Sequence, residues 1–181
     1  MSPPTTPAVI VHIDGTDKSY RQHPVLDFLF THQEAFDHGN MKTEPYTQFH
    51  TKDFVFTKSD GTVLPAGEAS WNGWLEGYAP FTEHLHEARY CCVYERNGGW
   101  EMMGVAHVFA NLPVPGEKTK TDLSGRKWDV AVPGSFLFTC VADPGGPKGF
   151  KVKSMTLYGD GTPVVSEMIK RGMIKPEDLA K

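Results

Sequence analysis

No stretch of this sequence carries 18 consecutive apolar residues, so nothing in it reads as a membrane-spanning helix. Runs of lysine or arginine are missing too. With a formal net charge of −4 and a pI near 6.0, the chain lacks the basic face that tracks phosphates, which argues against a nucleic-acid partner. The opening Met-Ser-Pro-Pro-Thr-Thr-Pro has neither a charged start nor an apolar core, so no secretory signal is read there. Cysteine is scarce. Cys91, Cys92 and Cys140 make an odd number, and neighbours on a strand point to opposite faces, so Cys91 and Cys92 are poorly placed to bridge each other. No Cys-x-x-Cys pair occurs, which argues against structural zinc, and reduced thiols in a cytoplasmic protein are expected. A glycine-rich phosphate loop, a serine nucleophile elbow and a dinucleotide fingerprint are all absent, which argues against nucleotide and hydride chemistry. No cofactor and no metal are expected.

What is present is ordinary soluble-domain material, 39% hydrophobic and 22% charged over 181 residues, enough for one core. Residues 1–20 read as a flexible N-terminal tail with one short strand near Val9–Ile13, and residues 21–181 as a single domain ending in a helix.

Pro24 suits a first helical turn; Val25, Phe28, Leu29, His32 and Phe36 recur on one face, and Gly39 stands where a helix end favours glycine. Asp37 lies on the flank of that stripe with Gln33. A short helix is predicted over 43–50 and a strand over 52–57, returned as a hairpin by Ser59-Asp60-Gly61-Thr62. Trp71, Trp74, Leu75 and Tyr78 then fall at helical spacing, and Pro80 closes that helix. Beyond it the period drops to two. His84, His86, Tyr90, Cys92 and Tyr94 alternate on one predicted face; after the Asn97-Gly98-Gly99 turn, Glu101, Met103, Val105, His107 and Phe109 alternate on another. Residues 116–127 read as a polar loop, either a lid or an exposed insertion. Strands follow at 128–141, with Phe136, Phe138 and Cys140 on one face, and at 150–158; Thr162-Pro163 opens a last helix. Helices gathered early and strands late indicate α+β, with helices on one face of a curved antiparallel sheet.

The succession resembles the cone-shaped fold of nuclear transport factor 2, and within it the SnoaL-like polyketide cyclases and scytalone dehydratase. The likeness is carried by Phe36-Asp37-His38-Gly39, His50-Thr-Lys-Asp53-Phe-Val-Phe56, Gly67-Glu68-Ala69 and Leu157-Tyr158-Gly159-Asp160, and covers about residues 21–162. It implies a sheet closed on its concave face by helices around a blind apolar pocket. Within the dehydratase pattern it also implies two pocket histidines, here His84 or His86 and then His107, with an aspartate matching Asp37. The dehydratase's paired tyrosines are not matched, since Phe36 precedes Asp37 and Phe54-Val55-Phe56 holds no tyrosine. The expectation is therefore a cofactor-independent enzyme of secondary metabolism. It would move a proton on an apolar oxygenated ring compound in isomerisation, cyclisation or dehydration. His107 would be the acid or base, Asp37 its orienter, and His84 or His86 a second donor. Trp71, Trp74, Tyr78, Tyr90, Phe109, Phe138 and Tyr158 are the expected pocket wall, suited to a flat ligand. Apolar residues on both faces of 136–141 indicate a homodimer. The rivals are a non-catalytic small-molecule-binding or dimerisation module of the same fold, and a metal-dependent cupin-like enzyme built on the His84/His86 pair.

Overall fold

The computed structural model describes residues 6–15 and 18–180, the side chains of Asn40 and Ala180 apart. In chain order the elements are β1 (Ala8–His12), α1 (Pro24–Asp37), α2 (Asn40–Thr43), β2 (His50–Thr57), α3 (Glu68–Glu76), β3 (Glu83–Arg96), β4 (Gly99–Asn111), β5 (Lys120–Thr121), β6 (Lys127–Trp128), β7 (Val130–Ala142), β8 (Phe150–Gly159) and α4 (Thr162–Lys170). The short strand expected near Val9–Ile13 is β1, an edge strand on β3; residues 1–5 and 16–17 lie outside the described residues.

The fold is α+β: six strands in the order β1-β3-β4-β7-β8-β2 form an open curved sheet, and β5 and β6 make a separate two-stranded ribbon. One pairing departs from the antiparallel expectation. β2 runs parallel to β8. These strands are joined through the whole body of the domain rather than by a hairpin, so no tight turn dictates their relative direction. The hairpin predicted after β2 is reduced to one bridge, Thr57 to Val63.

α1 starts as its sequence requires, with Pro24 in the first turn where a missing N–H costs nothing. It buries Val25, Leu26, Phe28, Leu29 and Phe36 against the concave face. Gly39, at φ 77°, ends it in a left-handed conformation that favours glycine. α3 brings Trp71 and Trp74 into the same core. β3 and β4 are the long hairpin, joined through Asn97 (φ 53°) and Gly98 (φ 75°), two left-handed residues as a tight turn between twisted strands demands.

Register decides which side chains look inward. In β4, Gly104, Ala106, Val108 and Ala110 alternate with Met103, Val105, His107 and Phe109; Ala106 and Val108 line the central cavity, so the larger set lies on the convex face. In β3 the pairing with β4 shifts between Ala88 and Tyr90. That bulge inserts one residue and exchanges the faces. His84 and His86 point inward, and beyond the bulge it is Cys91 and Val93 that join the core.

Candidate active site

Between α1, α3, α4 and the concave sheet lies a cavity of about 630 Å³. Its walls are mostly apolar, and its few polar side chains include His32, Gln33, Tyr78 and His86. No residue between 111 and 131 lines it, so the polar loop predicted over 116–127 borders no part of the cavity. That loop is tied down instead, with Trp128 Nε1 donating to Asp122 Oδ2 at 2.8 Å.

The end of α1 and the start of β3 supply the chemistry. Asp37 Oδ1 lies 2.5 Å from His86 Nδ1, and Asp37 Oδ2 accepts the His86 backbone N–H at 3.0 Å. Gln33, one turn earlier on α1, donates from Nε2 to the His86 carbonyl. The histidine is thus gripped by α1 on its ring and on both sides of its backbone. A carboxylate can only accept, so Nδ1 carries the proton and Nε2 has a lone pair. Tyr78 OH donates to that Nε2 at 2.7 Å. Burial, with the nearby Asp37 charge a lesser cause, raises the Tyr78 phenol above its ordinary value and keeps it neutral.

His84 stands beside this chain, with Nε2 3.7 Å from Asp37 Oδ1, buried, and without a hydrogen-bond partner. Burial first, and the neighbouring His86 second, lower its pKa to about 4, so it is neutral at pH 7. Asp37, His84 and His86 offer three ligand atoms within 4.8 Å of one another. They could hold a divalent cation, but it would have to displace the proton that now joins His86 to Asp37.

A second histidine pair sits behind the first. His32 Nε2 and His50 Nε2 are 3.2 Å apart, and His50 Nδ1 is 3.1 Å from the Tyr46 carbonyl. Burial pushes His32 well below its ordinary value and His50 to about 4. The His32 ring stacks on Trp74 at 5.7 Å and 19°, and Phe36 stacks on the same indole at 4.2 Å.

The predicted site residues therefore divide. Asp37, His84 and His86 meet; Trp74, Tyr78 and Phe138 line the cavity; Tyr158 lies at its rim, 51% exposed. His107 does not belong to this group. It lies on the convex face with its ring 6.0 Å from Phe109, which in turn packs on Trp128. Strand alternation puts both on the far side from Ala106 and Val108, which corrects the central role expected of His107 and the pocket role expected of Phe109. Tyr90 is moved outward by the β3 bulge and sits beside His12, ring to ring 5.2 Å. Trp71 is core, packed between Trp74 and His50 rather than in the cavity wall. Sequence reasoning placed His32 and Gln33 on α1 and quoted His50, but gave none of them a part in the site. His32, Gln33 and Phe36 fall within two turns of one helix just before Asp37, which is the signal that could have found them.

Neither a protein-family model nor any curated protein matches this sequence. Solved structures do. Aln2 from a Streptomyces species is similar over 83% of this chain and 98% of its own, with a TM-score of 0.58 and 18% identity. The CaMKII hub of S. rosetta covers 76% of this chain and 95% of its own at TM-score 0.55 and 13% identity. A nuclear transport factor 2-like superfamily protein from Salmonella enterica covers 78% and 91% at TM-score 0.51 and 11% identity. The resemblance to that superfamily, within which the SnoaL-like cyclases fall, holds at the level of the fold. The chain forms an open mixed sheet, not the double-sheet barrel of a cupin.

Proposed function

We propose that this protein is a small enzyme that moves a proton on an apolar, oxygenated ring compound held in the central cavity. The observation that carries the reading is the hydrogen-bonded chain Asp37–His86–Tyr78 ending in an apolar cavity. In the resting site the neutral Tyr78 hydroxyl donates its hydrogen bond to the lone pair of His86 Nε2. A ligand carbonyl entering beside Tyr78 competes for that hydrogen bond and frees Nε2. His86 then takes a proton from the carbon next to the carbonyl, its imidazolium stabilised by the Asp37 carboxylate. The developing enolate oxygen is held by the neutral phenol, a donor fixed in place before charge appears. Return of the proton from Nε2 to another carbon gives an isomerisation, and its delivery to a departing hydroxyl gives a dehydration. No step needs a cofactor. His84, neutral and with its Nε2 lacking a hydrogen bond beside Asp37, leaves the carboxylate's charge to His86.

We also propose that the protein is a homodimer joined through the convex face of the sheet. Met103 and Val105, 49% and 44% exposed, put apolar surface on the convex face of β4. A cytoplasmic setting agrees with three free thiols.

The substrate need not be known to test the chemistry. Incubating the protein with 2-tetralone in D₂O and following loss of the α-proton signal by NMR reads proton abstraction directly. Exchange above the buffer rate is expected, reduced by about 10²–10⁴-fold in His86→Gln. Binding of the ketone with no accelerated exchange would leave a non-catalytic binding module.

A further inference from the structure

The buried histidine pair behind the relay has no part in the proton transfer, yet one member borders the cavity. His50 Nδ1 faces the Tyr46 carbonyl at 3.1 Å, and a carbonyl only accepts, so His50 carries its proton on Nδ1. Its Nε2 therefore holds a lone pair. His32 Nε2, 3.2 Å away, must then be the donor of that bond. A neutral His32 protonated on Nε2 has no proton on Nδ1. Rotation of the ring is opposed by Trp74, stacked at 19°, and by the edges of Phe49 and Phe138. His32 also lines the cavity, and with Nε2 spent on His50, Nδ1 is the only polar atom its side chain has left for a ligand.

We infer that Nδ1 of His32 is a proton-free acceptor that selects ligands carrying a hydroxyl donor, the His32 tautomer being set by the His50–Tyr46 chain. The inference rests on the cavity being the ligand site, and it names a feature of the ligand that the relay does not require. A carbonyl or ether oxygen placed at Nδ1 would set lone pair against lone pair; a phenolic or enolic hydroxyl would be satisfied. Along α1, His32 precedes Asp37 by five residues, about 7.5 Å of helix axis at 1.5 Å per residue. That distance is on the order of two fused rings between the recognised hydroxyl and the carbon presented to His86.

The test compares two probes of one shape class, 2-naphthol and 2-methoxynaphthalene, by calorimetric titration of the intact protein. A net hydrogen bond corresponds to about a two- to tenfold preference for the naphthol in the parent. Tyr78→Phe, which removes the other hydroxyl partner near the relay, should keep that preference, and His32→Phe should lose it. No preference in the parent, or its survival in His32→Phe, overturns the inference. Should His32→Phe fail to fold, ¹⁵N spectra of the parent decide. An unprotonated His32 Nδ1 whose resonance moves with 2-naphthol but not with 2-methoxynaphthalene supports it, and a protonated or unresponsive Nδ1 refutes it. The two readings fail separately. Absence of deuterium exchange with the naphthol preference intact sinks only the catalysis, and exchange with no hydroxyl preference sinks only the role of His32.

Discussion

Lowering the pH from 7 to 5 should destabilise this protein sharply, and the buried histidines set the size of the effect. His50 and His84 have ordinary values of 6.5 lowered to about 4 in the fold. Between those values the unfolded chain binds a proton that the native state refuses, so stability falls as pH falls through the window. At pH 7 the penalty is small, since the unfolded histidines are mostly neutral. By pH 5 each contributes a loss of about 2 kcal/mol, on the order of 4 kcal/mol for the pair. His32, lowered well below its ordinary value, adds in the same direction. Against a typical total of about 5–15 kcal/mol the loss is large. The carboxylates do not blur the window. Asp27, Asp122 and Asp143 are held below 3.8, so their stabilisation is present above that value and lost only at lower pH. Urea midpoints followed by tryptophan fluorescence at pH 7, 6 and 5 measure the slope, and His84→Gln should remove only the share of about 2 kcal/mol that His84 contributes by pH 5. A midpoint unchanged between pH 7 and pH 5 would refute the burial of these rings as neutral groups.

Asp37→Asn should leave ring ketones able to bind while lowering deuterium exchange by about 10²–10⁴-fold, because an amide no longer stabilises the imidazolium; exchange and affinity measured on one preparation separate the two effects. His107→Ala, on the convex face, should leave exchange per folded molecule unchanged, and a loss comparable to that of His86→Gln would return His107 to the mechanism. Sedimentation at tens of micromolar should find a dimer that Val105→Glu dissociates, since a stable interface buries about 1,200–2,000 Å² and a charge at its centre goes unpaired; a monomeric parent would remove the convex face as an interface.

Much of the architecture was legible in the residues because it follows from local chemistry. Pro24 and Gly39 bracket α1, the Trp71–Tyr78 spacing makes α3 amphipathic, and Asn97-Gly98 supplies the left-handed turn of the β3–β4 hairpin. The family likeness drew Asp37 and the His84/His86 strand into one site, but it set Asp37 against His107, whereas the carboxylate meets His86. What the chain alone could not decide was which face of each strand looks inward. A period of two defines two faces without naming the inner one, and that choice is made by the partner strands and the helices above them. β4 turns Ala106 and Val108 to the cavity and sends His107 outward. One inserted residue between Ala88 and Tyr90 moves Tyr90 away from His84 and His86, and bulges carry no fixed sequence mark. The His32–His50 contact joins residues 18 apart on different elements, and only the closing of α1 over β2 brings the two rings to hydrogen-bond distance and so sets which nitrogen holds the proton.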